Sequence, residues 1–442
     1  MPSSVPDRLT VTPGRPVAGT VVPPGDKSIT HRAYLMGALA HGSTRVGNAN
    51  PGRDCATTLA CLEALGTRVQ GDARTVTIEG CQGRLEEPDR VLDCGNSGTT
   101  LRLLAGPLAA HPFLSVLAGD RSLNRRPVAR VIEPLRRMGA RLWARCEDTV
   151  PPLVVVGGPL RPIHHRLEVA SAQVASAVLL AGLYASGETV IELLGPARDH
   201  TERLLRAFGV ETEVELFPSG GRRVRLRGPA CPRATAVEVA GDFSAASFFL
   251  AAAAATPGAR VKVRGVGLNP TRTGLLEVLA SMGAEVHEER SGEAAGEPIG
   301  DVTVVGPERL RAAEVTADQI PRMVDEVPAW AIAAATAHGT SRLKGAAELR
   351  LKESDRLAAI AIGLGRLGVA ARALDDGLEI VGGPIGGGTV RSEGDHRIAM
   401  AFAALATRAR GAVTVEDTAS IATSYPGFTG DLARLGAEIQ PA

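Results

Sequence analysis

Aromatic residues are scarce in this chain: Phe, Tyr and Trp make up 3% of its 442 residues. A surface that stacks nucleic-acid bases needs such rings within a positive field. With a formal net charge of only +1 that field is missing too, which argues against nucleic acid as a partner and requires any basic site to be local. Long apolar runs are lacking as well. Ala246–Thr256 is apolar but too short for a membrane helix, and Met1–Thr20 has no apolar signal core, so the expectation is a cytoplasmic protein with no membrane association. The six cysteines (Cys55, Cys61, Cys81, Cys94, Cys146, Cys231) form no C-x-x-C pair and have no His at ligand spacing. Free thiols are expected, with no disulfide and no metal. The absence of a G-x-S-x-G elbow and of a Ser-His-Asp order leaves a hydrolase triad without support.

What the chain does have is a repeat. Six segments share one plan: a polar or small-residue opening, an apolar helical run, a Gly-containing turn, a β-branched strand, a second helix, and a closing Gly after an apolar residue. They open at Pro24-Gly25-Asp26-Lys27-Ser28, Gly95-Asn96-Ser97-Gly98, Ser171-Ala172-Gln173, Gly241-Asp242-Phe243-Ser244, Asp325-Glu326-Val327-Pro328 and Gly394-Asp395-His396-Arg397. They close at Leu65-Gly66, Met138-Gly139, Phe208-Gly209, Met282-Gly283, Leu367-Gly368 and Leu435-Gly436. In the first segment the pattern predicts helices over Ser28–His41 and Asp54–Leu65, and strands at Ser43–Asn48, Val69 and Val76–Glu79. The order β-α-β-α-β-β points to an α/β protein of two similar domains with three such units each. The expected domains are residues 18–238, and residues 1–17 with 239–442, the strand Leu9–Val11 joining the second and Arg233–Ala240 crossing between them. Gly292–Gly300 and Gly382–Gly388 follow no strand that opens a helix, so both read as turns rather than dinucleotide loops.

If the six polar helix starts face one interdomain cleft, their dipoles and free N–H groups attract anions. The openings also bring cations: Lys27, Arg32, Arg102, Arg125, Arg126, Arg198, Lys352, Arg356, His396 and Arg397. One Arg alone is usually a solvated surface charge, but solvated charges have no reason to track a repeat. A multiply negative ligand is therefore expected. Two carboxylates stand among these cations, Asp325 and Glu353. Each has a plain structural reading, a helix cap for Asp325 and an i,i+3 surface pair for Glu353 with Arg356. In Lys352-Glu353-Ser354-Asp355-Arg356 not every charge can aim at one spot. Lys352, Glu353 and Arg356 are expected to face the cleft, with Asp355 holding Arg356 or capping the helix. Carboxylates beside a Lys suit proton transfer. His31 and His41 receive no role, and His396 is either part of the site or held by a structural Asp–His bond.

Several motifs also look familiar. Pro24-Gly25-Asp26-Lys27-Ser28 with Arg32, Gly95-Asn96-Ser97-Gly98-Thr99 with Arg102, Arg126-Pro127, Ser171-Ala172-Gln173, Arg198-Asp199-His200-Thr201, Lys352-Glu353-Ser354-Asp355-Arg356 and Asp395-His396-Arg397 occur in order over nearly the whole chain. Together they resemble the 5-enolpyruvylshikimate-3-phosphate synthases. The resemblance implies two inside-out α/β barrel domains of three βαβαββ units, closing on their substrates. It implies transfer of the enolpyruvyl group of phosphoenolpyruvate to the 5-hydroxyl of shikimate 3-phosphate, in the shikimate pathway to aromatic amino acids, by a monomer with no metal or organic cofactor. By position, Lys27, Ser28, Arg32, Ser171, Ala172, Gln173, Arg198, Asp325 and Lys352 would bind shikimate 3-phosphate. Lys27, Gly98, Arg126, Gln173, Arg356 and Arg397 would bind phosphoenolpyruvate. Asp325 is implied as the base, Glu353 as the acid, and Lys27 as a stabiliser of shifting charge. The two substrates together carry roughly six negative charges, which accounts for the cations.

Two positions depart from the resemblance: Thr423 stands where some relatives, though not all, have a Lys that contacts phosphoenolpyruvate, and Ala175 stands where many carry a Lys in the segment after Gln173. Gly98 matches members inhibited by glyphosate competitively with phosphoenolpyruvate, where Ala crowds the inhibitor. The alternatives are a UDP-N-acetylglucosamine enolpyruvyl transferase and a non-catalytic anion-binding protein on the same scaffold. The loop Gly119–Arg125 lacks the Cys typical of the first, and Asp325 and Glu353 would only repel anions in the second.

Overall fold

The computed structural model describes residues 5–441. The chain forms two compact units: a terminal unit of Met1–Pro24, Ala240–Gly292 and Pro298–Ala442, and a middle unit of Gly25–Val239 with Glu293–Glu297. Among the described residues no helix is long and apolar enough to cross a membrane.

Each unit is built around three helices that are buried along most of their length, with their charged residues near the N-terminal ends, as expected of helices surrounded by other elements. In the middle unit these are Lys27–Leu39, Gly98–Leu108 and Ala172–Gly182. In the terminal unit they are Phe243–Ala254, Val327–Thr336 and His396–Ala406, and every residue of the first and last is buried. The alanine-rich run Ala251–Ala255 lies in that core with Phe248, Phe249 and Trp330. Outer helices such as Ala129–Met138 are amphipathic, burying Val131, Ile132, Leu135 and Met138 and ending on Arg136 and Arg137.

Among the described residues six four-stranded sheets surround these helices, and all follow one pattern. His164–Leu167 runs parallel to Gly187–Leu193, which is antiparallel to Arg222–Gly228, itself antiparallel to Thr212–Leu216. Three sheets borrow a strand from far away in sequence. Ala236–Glu238 runs parallel to Ser43–Gly47, so the expected crossing segment contains a strand of the first sheet. Ala18–Val21, expected with the first domain, instead runs parallel to Arg260–Gly267 in the terminal unit. Arg8–Thr12 lies between Val413–Glu416 and Glu438–Pro441, antiparallel to both. The supposed loop Gly292–Gly300 is mostly a hairpin of Glu285–Ala294 and Glu297–Val305. Only Ala295 (φ 50°) and Gly296 (φ 79°) turn. Two successive positive φ values are what a two-residue hairpin turn demands, and they let the strands continue through glycines.

The six closing glycines end the six outer helices in one geometry. Gly66, Gly139, Gly209, Gly283, Gly368 and Gly436 all have positive φ, from 74° to 114°. In each case the next residue's N–H donates to a leucine carbonyl five positions back: Thr67 to Leu62, Ala140 to Leu135, Val210 to Leu205, Ala284 to Leu279, Val369 to Leu364 and Ala437 to Leu432. This is the six-to-one bond of a Schellman cap, which absorbs a carbonyl the helix cannot satisfy.

Candidate active site

The helix openings are shaped by their caps. Asp26, Ser97, Ser171, Asp242 and Asp395 each accept a backbone N–H in the first turn of a central helix. The remaining first-turn N–H groups and the positive helix ends are thereby oriented, and three of these helices carry cations near their starts: Lys27 and Arg32, Arg102, and Arg397.

In the middle unit, Lys27 Nζ donates to Asp54 Oδ2 at 2.9 Å, both groups being largely buried. Ser28 contributes its carbonyl to Arg32 Nη1 at 3.0 Å. Arg32 also donates from Nε to Thr201 Oγ1 at 2.7 Å and from Nη2 to Ser176 Oγ at 2.9 Å. Burial pulls its pKa down to about 10 against the opposing pull of Glu202 and Asp26, so it stays charged near neutral pH. Gly98 starts its helix directly beneath Arg102 and Arg126: an added Cβ would lie 2.7 Å from Arg102 Nη1 and 3.6 Å from Arg126 Nη1. Arg102 Nη1 donates to Gln173 Oε1 at 2.8 Å, and Gln173 Nε2 to Thr99 Oγ1 at 3.0 Å. Arg126 donates to the carbonyl and side chain of Asn96 at 3.1 and 2.6 Å and to Ser122 Oγ at 3.1 Å. Asn96 in turn donates to Asp120 at 2.7 Å. Gly98 thus lies beneath two polar groups, Arg102 with Gln173 and Thr99, and Arg126 with Asn96, Ser122 and Asp120. Ser171 caps the helix that begins at Ala172. Arg198 precedes His200–Ala207, and its carbonyl accepts from Arg222 at 2.7 Å.

In the terminal unit a single guanidinium gathers three carboxylates. Arg356, 1% exposed, donates from Nε to Asp395 Oδ2 at 2.7 Å, from Nη2 to Glu353 Oε2 at 2.6 Å, and from Nη1 to Asp325 Oδ1 at 3.3 Å. Burial alone would lower its pKa, but the carboxylates of Asp395, Glu353 and Asp325 outweigh it and hold the group well above the usual arginine value. Arg397 Nη2 lies 3.4 Å from Asp325 Oδ2, and its Nη1 donates to the Asp325 carbonyl at 3.3 Å. Asp325, Glu353, Arg356 and Arg397 therefore converge. Lys352 does not join them: its Nζ donates to Glu348 at 2.6 Å. Asp355 caps its helix at Ala358 N and pairs with Arg350 rather than holding Arg356. Asp355 is spent on the cap because it immediately precedes the helix start. Thr423 donates to the Ser420 carbonyl at 2.8 Å, and Ala175 is buried within its helix.

Sequence reasoning missed the partners. Asp395, fully buried, reads as a plain helix cap, and only its place two residues before Arg397 hinted at more. Asp54 lies outside every motif. Asp199, His200 and Glu297 come within cation-binding range of one another, but Arg203 already supplies the positive charge there, 2.9 Å from Asp199 and 3.9 Å from Glu297.

Repeated α/β units with cations at several helix starts and three carboxylates on one arginine define an enolpyruvyl-transferase-like scaffold. The enolpyruvyl transferase NikO from Streptomyces tendae shares this fold at 19% identity with a TM-score of 0.79, over 99% of both chains. The family model for EPSP synthase (3-phosphoshikimate 1-carboxyvinyltransferase) matches residues 11–432, and the chain belongs to that family. It is 48% identical over 434 residues to a 3-phosphoshikimate 1-carboxyvinyltransferase of Synechococcus sp. (strain JA-3-3Ab), covering 97% of each. The structure of EPSP synthase from Acinetobacter baumannii matches with a TM-score of 0.85 at 42% identity, over 98% of this chain and 99% of that one. The sugar-nucleotide alternative is not favoured by these matches.

Proposed function

We propose that the chain transfers the enolpyruvyl group of phosphoenolpyruvate to the 5-hydroxyl of shikimate 3-phosphate and releases phosphate by addition and elimination. The observation that carries the catalytic assignment is the Arg356 clamp, with Asp325 and Glu353 on two nitrogens of one guanidinium. A site for holding anions has no use for two carboxylates, whereas addition of a hydroxyl to an enol phosphate needs both a base and an acid. Asp325 takes the proton of the 5-hydroxyl as its oxygen attacks the central carbon of phosphoenolpyruvate. Glu353 protonates the methylene, making that carbon electrophilic. In the tetrahedral adduct the new methyl group then loses a proton, the double bond re-forms, and the C–O bond to phosphate breaks.

Lys27, Ser28, Arg32, Ser171, Ala172, Gln173, Arg198 and Lys352 are assigned to shikimate 3-phosphate. Lys27, Gly98, Arg126, Gln173, Arg356 and Arg397 are assigned to phosphoenolpyruvate. Fixed cations, Lys27 among them, stabilise the charge that moves onto the departing phosphate. We further read the chain as a cytoplasmic monomer acting without metal, so phosphate release should proceed unchanged in EDTA.

The decisive experiment follows inorganic phosphate from purified protein supplied with both substrates. Asp325→Asn and Glu353→Gln should each lower kcat at least about 100-fold, the usual worth of a general acid or base, while shikimate 3-phosphate still binds. Phosphate release within twofold of the parent in either variant would remove that residue from the chemistry.

A further inference from the structure

Five of the six central helices start with a Ser or Asp that caps its own backbone, but Val327–Thr336 does not. Glu326 occupies its cap position and makes no cap bond. Its carboxylate, fully buried, is instead the acceptor for the hydroxyl of Ser244, on the first turn of the neighbouring helix Phe243–Ala254. Ser244 Oγ accepts in turn from Arg272 Nη2 at 2.5 Å. Arg272 Nη2 also lies 3.6 Å from Asp242 Oδ1 and 3.9 Å from Glu326 Oε1. Arg272 is itself only 3% exposed, and its backbone N–H is tied to the Asn269 carbonyl at 2.8 Å. A buried carboxylate, hydroxyl and guanidinium of this kind are costly unless their geometry is kept. They therefore resist displacement of whatever is attached to them.

What is attached is the short turn Val324–Glu326, whose middle residue is Asp325. That turn has no side-chain cap of its own: its backbone is closed by the Glu326 N–H donating to the Met323 carbonyl at 2.9 Å, and the Glu326 side chain ties it to the neighbouring helix. We propose that Glu326, anchored by Ser244 and Arg272, is a positioning residue that holds the Asp325 carboxylate between Arg356 and Arg397. The inference rests on the assignment of Asp325 as the proton acceptor. A misplacement on the order of 1 Å at a reacting group costs about 100-fold in rate, so loosening this anchor should appear in turnover rather than in binding.

The test is a double-variant cycle on the whole chain, read by phosphate release. Glu326→Gln keeps the shape and a hydrogen bond to Ser244 but removes the charge facing Arg272. It should lower kcat about 10-fold or more, with both KM values within about threefold of the parent. Ser244→Ala, which removes the bridging hydroxyl, should lower kcat about fivefold and serves if Glu326→Gln does not fold. In an Asp325→Asn background either change should cost less than twofold more, because the group being positioned is already gone. If Glu326→Gln and Ser244→Ala leave kcat within twofold of the parent, or if their losses multiply fully with that of Asp325→Asn, the positioning role is wrong. If Asp325→Asn alone leaves kcat unchanged, it is the assignment of the base that fails.

Discussion

Arg356 shows how one residue can unite three distant pieces of chain. Asp325 lies 31 positions before it and Asp395 lies 39 after it, yet both reach its guanidinium. The sequence made Asp325, Glu353, Arg356 and Arg397 legible because each stands in a motif at a helix start. Asp395 and Glu326 were not legible as anchors, since a carboxylate before a helix looks the same whether it caps or reaches sideways. His31, given no role from sequence, has a structural one. Its Nδ1 meets Thr58 Oγ1 at 2.7 Å, Thr58 meets Thr100 at 2.6 Å, and Thr100 donates to Ser97 Oγ at 2.7 Å, joining two helix openings. Burial first, then Lys27 and Arg32, hold its pKa well below the ordinary 6.5, with only Asp26 opposing. Below that value the unfolded chain binds a proton that the fold refuses, so stability is complete above pH 6.5 and falls as pH drops beneath it. Urea unfolding of His31→Gln should lose up to about 1.4 kcal/mol per pH unit of that dependence. Equal slopes in parent and variant between pH 5 and 6.5 would show that His31 contributes none. Gly98 supports a second prediction at this scale. The methyl of Gly98→Ala meets Arg102 Nη1 and presses it away from Gln173. The KM for phosphoenolpyruvate should rise severalfold, and competitive inhibition by glyphosate, expected of the parent, should weaken at least about 10-fold. Unchanged inhibition constants would refute this.

At the level of elements, the caps made the repeat readable. An apolar residue followed by Gly marks a helix end that needs a left-handed residue, and all six such glycines adopt that conformation. The cost of losing one can be isolated at Gly368, where φ is 80° and a Cβ would meet nothing within 4 Å. Gly368→Ala should destabilise by about 1 kcal/mol through backbone strain alone, seen as a lower urea midpoint with kcat unaltered. At Gly66 the same change would also place the Cβ 2.5 Å from Glu86 Cδ, adding a clash. Helices and local strands were predictable because their signals are periodic and short-ranged. The hairpin through Gly292 and Gly300 was not, since its turn is announced only by Ala295-Gly296, while glycines elsewhere in the run sit in strands.

For the molecule as a whole, the part least visible in sequence is which strand joins which sheet. Pairing of Ala18–Val21 with Arg260–Gly267, or of Ala236–Glu238 with Ser43–Gly47, is a choice between similar short strands separated by roughly 200 residues. Local pattern carries no register over such distances, and loop-closure entropy grows only slowly with length. The strand Arg8–Thr12 takes this furthest, its neighbours being Val413–Glu416 and Glu438–Pro441. A ribosome adding about 5–20 residues per second needs roughly 20–80 s to travel that far. Throughout the delay Leu9 and Val11, both fully buried in the finished protein, have no sheet to enter. The middle unit, complete by Val239 apart from Glu293–Glu297, should become protease-resistant on the ribosome while the first strand is still cleavable. Nascent chains stalled near residue 310 and digested briefly would show a protected middle fragment and a trimmed leading end. Birth order and assembly order are thus reversed: the first-made strand is among the last to find its place.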